Sequence, residues 1–202
     1  MLLTDPEITA LGEEGFFVHD RLLGSPAARD VARELETVAG VGGLRPAGVS
    51  RGARHRVDGD TRGDAIAWLS PDANRPALAA LLARVTELRD ALNRDAYLGL
   101  DRVEVQLARY PGGGARYRRH RDAFPGGPNR RLTAIYYANP DWRPEHGGLL
   151  RLHLPERPLD VAPVLDRLVV FLSERLDHEV LPTFAPRLAV TAWFYGRDHV
   201  PV

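Results

Sequence analysis

Apolar residues recur at helical spacing in two stretches of the first half of the chain. The segment after Ser25-Pro26 has a capping hydroxyl and a proline in its first turn, and a longer segment runs from about residue 75 to 94. The apolar positions are Ala28, Val31, Ala32, Leu35 and Val38 in the first segment and Leu78, Leu81, Leu82, Val85, Leu88 and Leu92 in the second. We expect two helices that pack on a sheet, preceded by a short helix that the capping box Thr4-Asp-Pro-Glu7 opens.

The chain beyond Leu100 has the pattern of short strands separated by turns. Val103, Val105 and Leu107 alternate with polar residues, and further strands are predicted at 131–138, 148–154, 167–172, 178–181 and 187–195. Single strands are predicted earlier, at 16–20 and 65–69. Helices followed by many strands predict an α+β fold, with a jelly-roll (double-stranded β-helix) core and the N-terminal helices on one sheet. We expect one domain over 1–202, a helical support over about 1–100 and a catalytic β core over about 101–196.

Composition limits the chemistry that the chain can perform. Its 202 residues are 44% hydrophobic, and 27 basic residues, all of them arginine, balance 27 acidic ones. The lack of lysine excludes Schiff-base catalysis, and the lack of cysteine excludes disulfides, thiolate zinc sites and iron–sulfur clusters. A net charge near zero argues against a nucleic-acid surface. No leader-like segment and no stretch of about 18 apolar residues is present, so we expect no membrane span and a cytoplasmic protein.

Two histidines and one aspartate have the spacing of a metal site. His120 and Asp122 are two residues apart, which on a strand places both side chains on one face. A later strand that begins at His178 can add a second imidazole. Two imidazoles and one carboxylate cover one face of an octahedral metal and leave three positions open, as in non-haem Fe(II) oxygenases. The sequence therefore predicts Fe(II) bound by these three residues, with open positions for a 2-oxo acid and O2.

Arg187 follows His178 by nine residues and suits the distal carboxylate of such a co-substrate. Its planar guanidinium can bind a carboxylate through two parallel hydrogen bonds. On its strand it shares a face with Ala189, Thr191 and Trp193, which indicates a pocket wall. We therefore predict that Arg187 anchors 2-oxoglutarate.

Each of these residues has a simpler explanation when it is taken alone. A His-x-Asp is more often a surface pair than a ligand pair, and His178 or Arg187 could serve an ordinary structural contact. Their order, strand context and spacing together favour the iron site. His120-Arg-Asp122 also imitates a protein-kinase catalytic loop, but Gly127 stands where that loop needs asparagine, and no Asp-Phe-Gly follows.

Several runs resemble the prolyl hydroxylase domain family, the 2-oxoglutarate oxygenases that in animals hydroxylate a proline of the hypoxia-inducible factor. They are Tyr-Pro-Gly-Gly-Gly-Ala-Arg-Tyr-Arg-Arg-His-Arg-Asp at 110–122, Leu-Thr-Ala-Ile-Tyr-Tyr at 132–137, Gly-Gly-Leu-Leu at 147–150, His-Glu-Val-Leu at 178–181 and Arg-Leu-Ala-Val-Thr-Ala-Trp at 187–193. Residues 61–69 resemble the family's substrate-facing loop and the strand after it. The resemblance implies Fe(II), 2-oxoglutarate and O2, with ascorbate as a candidate reductant.

By position, the resemblance also implies further site residues. Tyr110 and Tyr137 would contact 2-oxoglutarate, and Leu150 and Thr191 would line its pocket. The residues near the target proline would be Arg62, Asp64, Trp68, Tyr117, Arg130 and Trp193.

The Arg-, Asp- and Gly-rich loop at 50–63 has two interpretations. By composition it is a solvated segment, whereas the resemblance makes it a lid over the substrate. We expect Asp64 to fix this lid through an exposed ion pair with Arg130.

The function that these observations favour is hydroxylation of a prolyl residue in a protein or peptide, with release of succinate and CO2. An oxygenase of the same fold that acts on a free amino acid or small metabolite is the alternative. A metal- or 2-oxoglutarate-binding sensor without turnover is a third possibility from another class. A nucleic-acid demethylase would need a second arginine soon after Arg187, and the next one, Arg197, is ten residues on.

Overall fold

The computed structural model describes residues 2–40, 42–49, 56–57, 61–123 and 129–196. The helices in these ranges are α1 (Asp5–Glu13), α2 (Ser25–Gly40) and α3 (Pro76–Asp95), with a 3₁₀ turn at Pro144–His146. The strands are β1 (Phe16–Asp20), β2 (Arg45–Pro46), β3 (Gly48–Val49), β4 (Arg56–Val57), β5 (Ala65–Trp68), β6 (Leu100–Tyr110), β7 (Ala115–His120), β8 (Arg130–Tyr137), β9 (Leu150–His153), β10 (Pro158–Val161), β11 (Arg167–Leu172), β12 (His178–Thr183) and β13 (Arg187–Gly196).

The helices begin where local hydrogen bonds satisfy their free N–H groups. The Thr4 N–H donates to Glu7 Oε2 at 2.7 Å, which completes the predicted capping box of α1. At the start of α3, the carboxylate of Glu34 on α2 accepts the N–H groups of Ala77 and Leu78 at 3.2 and 2.7 Å. This contact caps α3 and also ties the two long helices to each other.

The strands form two antiparallel sheets and one separate pair. The larger, which we call the major sheet, has seven strands in the order β1-β11-β8-β13-β6-β5-β2. The minor sheet has four, in the order β10-β9-β12-β7, and β3 pairs with β4. All strand pairings among the described residues are antiparallel, as a jelly roll requires.

The major sheet is buried on both faces. On one face, Leu107, Val190 and Phe194 pack in a single apolar cluster with the predicted faces of α2 and α3. On the other face, Tyr137 and Ala189 pack with Leu150, Leu152 and other residues of the minor sheet. Full burial of a leucine or valine contributes roughly 1.5–3 kcal/mol, so the helix-facing layer is a main source of stability. The predicted α+β jelly roll with helices on one sheet is confirmed.

The predicted elements form with small shifts at their ends. Four short strands, β2, β3, β4 and β10, were not expected, because two to four residues carry little periodicity and β10 begins at a proline. Most of the predicted lid at 50–63 lies outside the described residues. In the described part of the chain, no helix has both the length and the apolarity to cross a membrane. The cytoplasmic location stays a prediction.

Candidate active site

The minor sheet brings two histidines next to each other. His120 is the last residue of β7, His178 is the first of β12, and the two are paired in register with ring centroids 4.2 Å apart. The Nδ1 atoms lie 2.8 Å from Arg118 O and 3.4 Å from Leu176 O, respectively. A carbonyl oxygen only accepts, so each Nδ1 carries the proton and each Nε2 keeps a free lone pair. Both rings are thereby set as metal ligands through Nε2.

Asp122 completes the cluster from a position that differs from the prediction. Strand β7 ends at His120 and Asp122 lies in the bend that follows, so the expectation that both share one strand face is wrong. The Asp122 Oδ2 instead accepts hydrogen bonds from Thr133 Oγ1 at 2.8 Å and Trp193 Nε1 at 2.9 Å, both on the major sheet. Its two oxygens are 3.8 Å from His120 Nε2 and 3.7 Å from His178 Nε2. The possible ligand atoms of all three residues lie within 4.8 Å of one another.

The charges of the cluster suit a divalent cation. Burial, together with the neighbouring His178, lowers the pKa of His120 to about 3, so this ring is neutral near pH 7. Burial alone would raise the pKa of Asp122, but the two imidazoles and the bonds from Trp193 and Thr133 outweigh it and lower that pKa. Two imidazole nitrogens and one carboxylate form the donor set that Fe(II) oxygenases use. The residues therefore fit an iron ion.

Arg187 lies at the start of β13 and is buried, with 3% of its surface exposed. Its Nε donates to Gly148 O at 2.9 Å, and its Cζ lies 5.0 Å from the ring centres of both Tyr110 and Tyr137. Among the described residues, no carboxylate is within ion-pair distance of this guanidinium. A buried cation that has only a carbonyl and two aromatic faces around it is suited to an anionic ligand.

Tyr137 places a hydroxyl without a hydrogen-bond partner among the described residues beside this cation. Its Oη is fully buried and has no hydrogen-bond partner among the described residues. Burial raises its pKa to about 12, although the nearby Arg187 acts in the opposite direction. The phenol is therefore a neutral donor next to a free positive charge. A carboxylate bound there would satisfy both groups.

Two adjacent glycines allow close approaches here, and Gly148 is the one that leaves room for Arg187. Gly148 has φ of +70°, and a Cβ at this position would lie 2.8 Å from the Cδ of Arg187 and 2.8 Å from the Cγ2 of Thr183. At Gly147, with φ of +63°, a Cβ would lie 2.4 Å from Pro182 O. Glycine is thus required for both the backbone conformation and the position of Arg187.

The remaining predicted co-substrate residues lie on strands beside Arg187 or Tyr137. Leu150 is fully buried and belongs to the apolar cluster that contains Tyr137 and Ala189. Tyr110 is buried at the end of β6, opposite Arg187 in the strand pairing. Thr191 is partly exposed and lies between Arg187 and Trp193 on the same face of β13.

The predicted ion pair between Asp64 and Arg130 is wrong. The partner of Asp64 is Arg62, whose Nε and Nη2 donate to its two oxygens at 2.7 and 2.9 Å. The pair is buried rather than exposed, with side-chain exposures of 12% for Arg62 and 0% for Asp64. The Arg62 guanidinium also lies over the ring of Tyr117 at 4.7 Å, and Tyr117 stacks on His120 with ring centres 3.7 Å apart. The segment at 61–64 therefore reaches the metal cluster through stacked side chains.

Arg130 lies on the other side of the cluster. Its Cζ is 4.3 Å from the Trp193 ring centre, its Nε donates to Tyr195 Oη at 3.1 Å, and Nη1 is 4.0 Å from Asp122 Oδ1. Trp68 lies 6.0 Å from Trp193 between ring centres and is 56% exposed. The predicted substrate residues thus form a partly open rim beside the metal cluster.

Some supporting residues were not predicted from the sequence. Thr133, which bonds Asp122, is itself linked to Ser173 at 2.8 Å, and Gln106 accepts from Arg62 at 3.1 Å. All three are fully or almost fully buried polar residues on or beside apolar strands. A polar residue within an apolar strand was the available signal, but its partner comes from a distant part of the chain.

Comparisons with known proteins agree with this geometry. Residues 105–195 match a family described as the 2OG-Fe(II) oxygenase superfamily. The chain is 36% identical to the human prolyl hydroxylase EGLN3, covering 95% of this chain and 82% of that protein. It is also 36% identical to the hypoxia-inducible factor prolyl hydroxylase of Caenorhabditis elegans, but spans only 28% of that protein's length.

Two solved structures have similar folds over nearly the whole chain. A prolyl-4-hydroxylase of Pseudomonas putida has a TM-score of 0.85 and 37% identity, covering 95% of this chain and 98% of that one. A Trichoplax adhaerens prolyl hydroxylase, solved with a peptide from the hypoxia-inducible factor oxygen degradation domain, has a TM-score of 0.85 and 31% identity, covering 94% and 87%.

Proposed function

The chain belongs to the prolyl hydroxylase family of 2-oxoglutarate-Fe(II) oxygenases, and from this premise we propose that it hydroxylates a prolyl residue of a protein or peptide. It is an iron- and 2-oxoglutarate-dependent dioxygenase. The observation that carries the proposal is the buried Arg187, free of any carboxylate among the described residues, close to the unpaired Tyr137 Oη in a fold that also contains a His-Asp-His cluster.

We assign the iron ligands to His120, Asp122 and His178. The Arg118 and Leu176 carbonyls orient the imidazoles, and the bonds from Thr133 and Trp193 orient the carboxylate. These contacts fix the ligand atoms before metal binds, which lowers the cost of ordering them. An iron ion held by these residues would supply, with 2-oxoglutarate and O2, the oxidant for hydroxylating a C–H bond, and the co-substrate would be converted to succinate and CO2.

The co-substrate anchor is assigned to Arg187 and Tyr137. The guanidinium would pair with the distal carboxylate of 2-oxoglutarate, and the phenol would donate to the same group. Tyr110, Leu150 and Thr191 would exclude water from the rest of 2-oxoglutarate and orient its keto acid end.

We assign polypeptide binding to the rim residues that partly enclose the cluster. Trp68 and Trp193 offer aromatic surface for a proline ring, and Arg130 is held with its guanidinium over Trp193. Tyr117 stacks against His120, and Arg62 lies over Tyr117 while paired with Asp64. The relatives named as prolyl hydroxylases, one of them solved with a peptide, support a polypeptide over a small metabolite.

The test is mass spectrometry of candidate substrates after reaction with Fe(II), 2-oxoglutarate and O2. The arms are proline-containing peptides, among them a hypoxia-inducible factor oxygen degradation domain peptide, and free L-proline. We expect one added oxygen on a peptidyl proline, with the His178→Ala variant as the inactive control. Oxidation of free proline alone would support the small-molecule alternative, and 2-oxoglutarate binding without turnover would support a sensor. Ascorbate dependence is tested by omitting it.

A further inference from the structure

The two histidine-bearing strands pair irregularly next to the cluster. His178 of β12 pairs with His120 of β7, but Val180 pairs with Tyr117, so two residues of β7 oppose one residue of β12. This is a β-bulge, and it interrupts the backbone ladder between the two histidine-bearing strands. At this distortion the Arg118 carbonyl accepts from His120 Nδ1 at 2.8 Å. The bulge orients one ligand but weakens the pairing that holds it.

Asp177 joins the same strands through its side chain. Its Oδ2 accepts from Arg119 Nη2 at 2.8 Å and Nε at 3.0 Å, and its Oδ1 accepts from Arg121 Nε at 2.7 Å. Arg119 and Arg121 flank His120, and Asp177 directly precedes His178. One carboxylate therefore binds both neighbours of one histidine from a position beside the other.

The backbone of Asp177 is itself fixed to the rest of the minor sheet. Its carbonyl accepts the N–H of His153 on β9 at 2.9 Å. His120, by contrast, is the most exposed member of the cluster, with a side-chain exposure of 20% against 7% for Asp122 and 5% for His178. It is also the last residue of its strand. His120 is therefore the member whose position depends most on added contacts.

We propose that Asp177 is a positioning residue of the metal site, which holds the end of β7 against β12 and sets the distance between the two imidazoles. The inference rests on the proposed function, because it requires that His120 and His178 bind a metal. Exposed ion pairs contribute little to the free energy of unfolding, and the arginines here are 57% and 46% exposed. The contacts of Asp177 with Arg119 and Arg121 therefore act on the geometry of the metal ligands. Their loss weakens metal binding without a matching loss of fold stability.

The test compares two carboxylate substitutions, with Mn(II) as the probe because it is stable in air. The first is Asp177→Asn. The matched control is Asp160→Asn, which removes a similar double hydrogen bond from Arg151 across β10 and β9, at side-chain exposures of 32% and 33%. We expect Asp177→Asn to weaken Mn(II) binding by about tenfold, the lower end of the range for groups that support metal ligands. Asp160→Asn should not change it, and both variants should melt within a few degrees of the wild type.

Two further variants separate positioning from charge. Asp177→Asn leaves two unpaired arginines near the metal, which could repel it without any change in geometry. The double variant Arg119→Gln/Arg121→Gln removes those charges together with the contacts. Simple repulsion predicts unchanged or tighter Mn(II) binding, whereas loss of positioning predicts weaker binding. Asp177→Glu, which keeps the carboxylate, should lose less affinity than Asp177→Asn.

Equal Mn(II) affinities in the wild type and Asp177→Asn would overturn the inference and leave the proposed function intact. Unchanged or tighter binding in the double glutamine variant would also overturn it, as would a fall in melting temperature that accounts for the lost affinity. A wild-type protein that binds no Mn(II) would refute the metal site itself, so the two failures are distinguishable.

Discussion

The major and minor sheets both contribute to the active site, but different interactions hold them together. On the major sheet, β13 pairs continuously with β6 from Arg187 to Tyr195, and helices bury the face that does not pack on the minor sheet. The minor sheet has register shifts between β12 and β7, and alternate residues of β7 stay exposed. Side-chain pairs such as Arg151–Asp160 and His153–Glu179 connect its strands.

This difference separates the two halves of the candidate site. The groups assigned to 2-oxoglutarate, Arg187 and Tyr137, lie on the major sheet, whose apolar packing keeps them in place without ligand. The two imidazoles lie on the minor sheet, and only Asp122 is bonded to the major one. We expect a bound metal to join the sheets by linking all three residues. Loss of metal should therefore affect the minor sheet more than the major one.

The largest expected effect is on the minor-sheet side. His178→Ala removes one imidazole while leaving the packing of both sheets largely intact, so it should abolish 2-oxoglutarate decarboxylation with little change in circular dichroism. The control is His153→Ala, another histidine of the minor sheet, which pairs with Glu179 outside the cluster. Full activity in His178→Ala would remove the proposed iron site.

On the major-sheet side, Arg187→Ala should weaken 2-oxoglutarate binding and leave metal binding unchanged. Loss of a charge-assisted pair costs about 2–5 kcal/mol, so calorimetry should show at least a tenfold higher Kd. Arg167→Ala, which removes a surface pair with Asp20 on the same sheet, is the control. Unchanged binding would mean that another cation holds the co-substrate, and Arg130 and Arg131 would be tested next.

Asp64→Ala tests the segment that bridges from β5 to the minor sheet. An exposed pair would have left the melting temperature almost unchanged, but the Arg62–Asp64 pair is buried. Removing one partner of a buried pair costs about 3–5 kcal/mol, so thermal melting should show a clear loss of stability. Asp160→Ala, at an exposed pair, should melt almost like the wild type.

Asp64→Ala should also slow peptide hydroxylation more than uncoupled 2-oxoglutarate turnover, because we assign the segment to substrate binding. Equal losses in the two assays would show that it serves the iron site instead.

The smallest expected effect comes from Tyr137→Phe, which removes one oxygen from the major-sheet side. Because that oxygen is buried without a partner, its removal should leave the ligand-free protein equally stable or up to about 1 kcal/mol more stable. The affinity for 2-oxoglutarate should fall by roughly tenfold or more, because a hydrogen bond to a carboxylate contributes about 1.5–3 kcal/mol. A destabilised ligand-free protein would indicate that the hydroxyl is already satisfied there.

The sequence by itself determined the elements and the faces of the strands. Helical spacing identified the buried sides of α2 and α3, and alternation placed Arg187, Thr191 and Trp193 on one face of β13. These properties repeat within a few residues, because side-chain direction follows from backbone geometry alone. The order of His120, Asp122 and His178 was enough to select three residues whose possible ligand atoms the fold brings together.

Only the tertiary structure decided how those residues are held. Asp122 lies outside β7 because its hydrogen-bond partners, Thr133 and Trp193, are supplied by the major sheet. Asp64 paired with Arg62 two residues away instead of with Arg130, which is held by Trp193 and Tyr195. The sequence shows which side chains are charged and therefore need a partner. Which partner it gains depends on which groups are desolvated beside it, and this is set by packing between segments far apart in the chain.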